Sequence, residues 1–163
     1  MEELKKAQDL SVKDDVRKKS LREFYSYVND WQIALPNVEP LVLDFGLGDF
    51  YTNGLIECWI VNEVEAGYCA KYLFVFDGQT CPKHTHQVKA ESFFMIKGEL
   101  LVRYGDKEIR LKPGDVFLVE PSRYHSMTGI GPALFLEVSK PCYIDDNYFA
   151  NTNIPIGGNY RKE

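Results

Sequence analysis

The chain has 163 residues, 45% hydrophobic and 26% charged, with a formal net charge of −5. That length suits one domain with its own core, and an acidic balance without a basic stripe argues against nucleic acid or an anionic membrane surface as the main partner. No apolar run is long enough to span a bilayer, and the start MEELKKAQDL lacks the apolar core of a secretory signal, so a cytoplasmic location is expected.

Residues 11–34 place Val12, Val16, Leu21, Phe24, Val28 and Trp31 at spacings of mainly three to four, which predicts an amphipathic helix with Ser11 as its cap and Asp14 three residues on. Pro36 and Pro40 end helical structure. From residue 41 the period changes. LVLDFGLG, LIECWIVNEV, CAKYLFVFDG, ESFFMIKGELLVRYGDKEIRL, DVFLVEP and ALFLEVSKP are short runs rich in β-branched and aromatic residues, punctuated by Gly, Pro, Asn or Asp. Even spacing of short strands predicts an all-β sandwich or barrel rather than a βαβ fold. The whole of 1–163 is expected to form one domain: a helical segment over 1–35, a barrel over 41–140 and an irregular tail over 141–163. Cys58, Cys69, Cys81 and Cys142 show no paired ligand spacing and are expected to be free, buried thiols.

The chemistry concentrates in two segments. The first, from Gly78 to Gly98, reads G-x5-H-x-H-x4-E-x6-G and contains His84, His86 and Glu91. Side chains two apart on a strand share a face, so His84 and His86 point together, and a turn over 87–90 can bring Glu91 back beside them. The second, Pro113-Gly114-Asp115 onward, starts a strand expected to carry His125 at its far end. All three histidines of the chain fall in these segments. Three imidazoles and one carboxylate suit Mn²⁺, Fe²⁺, Co²⁺, Ni²⁺ or Zn²⁺, with positions left open for water or substrate.

These two segments resemble the two motifs of the cupin superfamily; in the second the proline is displaced by one residue, and Ser122 stands where cupins usually have glycine. DFGLG (44–48), GYCAK (67–71), GQTCPKHTH (78–86), KAESF (89–93) and LEVS (136–139) further resemble the D-lyxose isomerase family of sugar-isomerising cupins. The resemblance covers roughly residues 41–149. It implies a jelly-roll barrel with the metal inside, Mn²⁺ as the ion, a small sugar as substrate, a homodimer with LIECWIV as a possible contact strand, and interconversion of an aldose and a ketose such as D-lyxose and D-xylulose through a cis-enediol.

Two residues match family positions for the proton transfer. Lys89 lies two before Glu91 and should face the same way, and Glu137 is an acid inside an apolar strand, where a carboxylate needs a partner. Glu137 is expected to be the base and Lys89 the acid partner or the stabiliser of the enediolate. Structural roles compete with these: a plain loop lysine for Lys89, an ion pair with Arg103 or Arg123 for Glu137, and turn roles for Asp44 and Gln79. Lys71, Arg123 and Tyr124 could line the barrel mouth. Where the family commonly has an arginine after an Asp-Asn pair, Asp146-Asn147 is followed here by Tyr148-Phe149, leaving Arg161 as a distant candidate. An iron dioxygenase using the same four ligands, and a sugar-binding cupin without activity, are the alternative functions.

Overall fold

The structure, a computed structural model, describes residues 2–158. Nine strands form one curled antiparallel sheet behind two N-terminal helices. The strands are β1 (Leu41–Leu43), β2 (Leu55–Glu63), β3 (Tyr68–Val75), β4 (Thr80–Thr85), β5 (Glu91–Tyr104), β6 (Lys107–Leu111), β7 (Val116–Val119), β8 (His125–Ser139) and β9 (Tyr148–Phe149). The long strand β8 is the hub. It pairs with β3 through Cys69–Val75, with β5 along most of its length, and with β4 where His84 stands opposite His125. Curling around β8 encloses a core of Leu73, Val75, Phe93, Met95, Leu100, Val102, Phe135 and their neighbours, a barrel as the strand pattern anticipates and the jelly-roll arrangement that the cupin resemblance implies.

The helical segment holds two helices, α1 (Glu2–Leu10) and α2 (Asp15–Asp30), where the periodicity predicts one. Ser11 does not cap α2. Asp14 does, its carboxylate accepting from Val16 N at 2.8 Å, while the Ser11 hydroxyl is taken up by the backbone of Val42. Phe24 and Val28 of α2 pack on Ile56, Cys58, Phe74 and Leu134, so the helix covers part of the outer face of LIECWIV, the strand considered for a sheet-to-sheet contact, and leaves Ile60 exposed. The larger uncovered part of the sheet lies elsewhere. Val116, Leu118, Phe94 and Val138 are 68, 56, 43 and 50% exposed on the outer face of β7, β5 and β8.

Two further expectations are corrected. The tail is not wholly irregular, because Tyr148–Phe149 pairs with His84–Thr85 at the edge of β4. His125 does not end the strand that follows Pro113-Gly114-Asp115; β7 stops at Val119, a turn intervenes, and His125 opens β8. In that turn Ser122 adopts a left-handed φ of 61°, and its N–H donates to His86 O at 2.6 Å. Cupin sequences usually place glycine there, and the backbone shows why. Gly98, at φ 73°, closes the first motif where a Cβ would strike the Pro132 carbonyl. All four cysteines are free and buried. Among the described residues no helix is long and apolar enough to cross a membrane.

Candidate metal centre

His84, His86 and His125 are buried together, with their candidate ligand atoms within 4.8 Å of one another. A bulge in β4 makes this possible. Between Cys81 and His84 the strand spends one more residue than β8 opposite it, so Cys81 and His84 both face inward across the exposed Lys83. Each imidazole is then oriented by a carbonyl: His84 Nδ1 lies 2.7 Å from Pro82 O, His125 Nδ1 3.0 Å from Arg123 O, and His86 Nδ1 2.9 Å from Asp146 O. A carbonyl oxygen can only accept, so each Nδ1 carries the proton and each neutral ring keeps its lone pair on Nε2. Burial, with the neighbouring imidazoles His125 and His86 adding to it, holds His84 well below the usual histidine range; burial and then the Lys89 ammonium lower His86.

Glu91 opens β5 beside them. Its Oε2 lies 3.4 Å from His86 Nε2 and 3.2 Å from His125 Nε2, and none of these three buried atoms has a hydrogen-bond donor or acceptor to satisfy it. Lone pairs of two imidazoles and a carboxylate aimed at one point in a buried interior repel one another unless a cation lies among them. The donor set therefore fits a divalent ion, with carbonyls behind the rings in the manner of metal-binding histidines.

Lys89 Nζ bridges Glu91 Oε1 at 2.5 Å and Glu137 Oε1 at 3.2 Å, and the three residues are 4, 3 and 2% exposed. Burial favours the neutral amine of Lys89, but the Glu137 and Glu91 carboxylates outweigh it and raise the ammonium above the ordinary lysine range. Burial would likewise raise Glu91, yet Lys89 and then His86 hold its carboxyl well below the usual carboxylate range. Ser139 Oγ also donates to Glu137 Oε1, at 2.8 Å. All these contacts fall on Oε1, and Oε2 of Glu137 is engaged by none of them. Arg103 pairs instead with Glu108, so the arginine pairing considered for Glu137 is not made through it.

A small pocket, with a cavity volume of about 50 Å³, lies beyond Phe149 from this centre. Phe149, whose ring lies 5.5 Å from that of His84, forms one wall, and Leu43, Phe45, Ile144 and Ile156 add apolar surface. Lys71 forms its charged wall, opposite Glu137 in register. Its ammonium sits 3.5 Å from Glu57 Oε2, 3.2 Å from Cys142 Sγ and 4.5 Å over the Trp59 ring. Burial would lower Lys71, but Cys142, Glu137 and Glu57 together hold it well above the lysine range. Lys71 is thus a buried wall rather than a residue of the mouth, and it is joined by Glu57 and Trp59, for which the alternation along β2 is the one signal in the sequence. Arg123 and Tyr124 do not line this pocket, although Lys83 approaches the Tyr124 ring. Asp44 accepts from Gly46 N and Gly48 N, and Gln79 binds the backbone of Phe76 and Phe50, so both hold turns. Arg161 lies outside the described residues.

A jelly-roll barrel that gathers three histidines and a glutamate on its inner strands defines a cupin, and the cupin domain family model matches residues 74–139. The chain is 31% identical over 142 residues to a D-lyxose ketol-isomerase of Thermofilum sp., covering 69% of this chain and 77% of that protein. It belongs to the D-lyxose isomerase family of cupins. A D-lyxose/D-mannose isomerase of Thermosediminibacter oceani is 35% identical over 116 residues, covering 55% of this chain and 62% of that protein, so the match spans less than two thirds of that relative's length. Among solved structures, L-ribose isomerase from Cellulomonas parahominis shares the fold with a TM-score of 0.71 at 17% identity, over 89% of this chain and 95% of that one.

Proposed function

We propose that this protein is a divalent-metal-dependent aldose–ketose isomerase acting on a small sugar such as D-lyxose, with His84, His86, Glu91 and His125 as the metal ligands. The observation that carries the reading is the unsatisfied meeting of His86 Nε2, His125 Nε2 and Glu91 Oε2 directly beside the Lys89–Glu137 pair. Relatives named as D-lyxose isomerases support the reaction class. Held by these four residues, a divalent ion such as Mn²⁺ would supply positive charge that lowers the cost of the negative charge developing on the sugar.

The residues of the chain do the rest. Glu137 is the base: Oε1 is fixed by Lys89 and Ser139, which leaves Oε2 to take the C2 proton and return it to C1. The Lys89 ammonium is held between two carboxylates and stabilises the enediolate oxygen or protonates it. Phe149, beside the His84 ring, excludes water from the reacting carbons.

The test is incubation of Mn²⁺-loaded protein with free aldoses in D₂O. Ketose formation with deuterium at the exchanged carbon is expected, and the absence of both across a pentose and hexose panel overturns the reading. Glu137→Gln should abolish exchange while metal content stays near that of the parent; loss of metal instead would remove Glu137 from the role of base. The reading also includes a homodimer. It is supported by the uncharged rows Val116–Phe94–Leu136 and Leu118–Ser92–Val138, registered across β7, β5 and β8. Sedimentation of the parent and of Leu118→Lys checks it: a parent that sediments as a monomer, or a variant that still dimerises through an unchanged interface, removes this face from the assignment.

A further inference from the structure

Behind the metal centre lies a residue that touches neither the pocket nor the candidate ligand atoms. Asp146 ends the 3-10 turn Ile144–Asp146 and is 8% exposed. Its carboxylate fills a nest of three successive backbone N–H groups: Oδ1 accepts from Gln87 N at 2.9 Å and Val88 N at 3.3 Å, and Oδ2 from Val88 N at 3.2 Å and Lys89 N at 3.1 Å. Its own carbonyl accepts the Nδ1–H of His86. One residue thus fixes the ring of His86 and the backbone from which Lys89 rises, on the turn between the two halves of the candidate ligand set.

That residue is fastened in turn from outside the barrel. Glu3 of α1 accepts from Ile144 N at 2.7 Å, and Lys6 lies 3.7 Å from Asp145. Asn147 closes the same turn by donating to the carbonyls of Tyr143 and Ile144.

We propose that Asp146 is the positioning residue of this centre, setting the placement of Lys89 and His86 through the 87–89 turn. The proposal rests on the metal-centre reading above and adds to it a residue that contacts neither metal nor sugar. Outer-shell partners of this kind typically change metal affinity or activity by about 10- to 100-fold when removed.

The test uses the full chain, stripped of metal and titrated with Co²⁺, whose visible absorption reports ligand geometry independently of turnover. In Asp146→Ala the expected result is an altered Co²⁺ spectrum, Co²⁺ affinity weakened about 10- to 100-fold, and a fall in kcat larger than any change in KM. Asp146→Asn keeps one acceptor oxygen of two and should fall between parent and alanine variant in all three readouts; it serves alone if the alanine variant does not fold. Asp106→Ala, on the exposed turn between β5 and β6, should match the parent. A folded Asp146 variant with parental spectrum, affinity and kcat overturns the proposal. A parent that binds Co²⁺ with the expected spectrum but turns over no sugar defeats the isomerase reading and leaves this one standing. A parent that binds no Co²⁺ defeats both.

Discussion

Replacing Lys89 by methionine tests the electrostatics of the centre most directly. The ammonium lies 2.5 Å from one buried carboxylate and 3.2 Å from another. At an effective dielectric of about 20 each contact carries roughly 5–7 kcal/mol of Coulomb attraction. Desolvation of the three ions offsets most of that, and removing one partner from a buried ion pair costs about 3–5 kcal/mol because the other charge is left uncompensated. Urea unfolding of metal-free Lys89→Met at pH 7.5 should therefore show a loss of about 3–5 kcal/mol relative to parent. The deficit should shrink toward pH 5.5. Without Lys89, the burial that raises Glu91 loses its largest opponent, so the folded variant takes up a proton on Glu91 more readily than the folded parent as pH falls, and the deficit narrows. The double variant Lys89→Met/Glu137→Gln should be no less stable than Lys89→Met alone, with a coupling energy of about 1–3 kcal/mol. A single-variant loss under about 1 kcal/mol, or strictly additive losses in the cycle, refutes the bridged-carboxylate account.

Other measurements probe different parts of the structure. His84 and His86 are held below the usual histidine pKa of 6.5, so the unfolded chain binds protons there that the folded chain does not. Stability of the metal-free protein should accordingly fall as pH drops below 6.5, by about 1 kcal/mol for each histidine at pH 5.5, and a flat stability profile from pH 7 to 5.5 would contradict this. Ser122→Gly relieves a left-handed backbone and should stabilise the protein by about 0.5–1 kcal/mol in the same urea assay; destabilisation would show that the serine hydroxyl matters more than the backbone. Mn²⁺ at a hundredfold excess over its dissociation constant should stabilise EDTA-treated protein by about 2.7 kcal/mol, an increment that disappears in His125→Gln.

What the sequence revealed and what it hid divide along physical lines. The meeting of His84, His86 and Glu91 was legible because strand alternation and one turn suffice to bring them together, whereas His125 was legible only as a further imidazole in a second segment, its place opposite His84 being set by the register of β4 with β8. Lys89 was legible through the same alternation, and Glu137 because a carboxylate in an apolar strand demands a partner. Asp146 was not legible: its N–H donors lie 57–59 residues away, and nothing local in IDDN distinguishes a nest-filling aspartate from a turn residue. Glu57 and Trp59 sit at inward positions of β2, yet only the register with β3 places them around Lys71. The break between α1 and α2 was missed because Ser11 looks like a cap, and the demand of the Val42 backbone for its hydroxyl is a tertiary fact. Two residues of β9 are too few to show a period.

The bulge in β4 means that the aim of the centre is set partly by chain length. Side chains alternate along a strand, so residues three apart such as Cys81 and His84 would ordinarily face opposite ways; the bulge at Pro82–Lys83 absorbs one residue and keeps both inward. Deleting Lys83, an exposed residue with no part in the chemistry, would leave Cys81 and the histidine two apart, a spacing that a regular strand serves without any bulge. The inward phase of the histidine would survive that deletion. What the extra residue adds is a bend and a stronger local twist in β4, so a change at position 83 acts on the aim of the imidazole rather than on which face carries it.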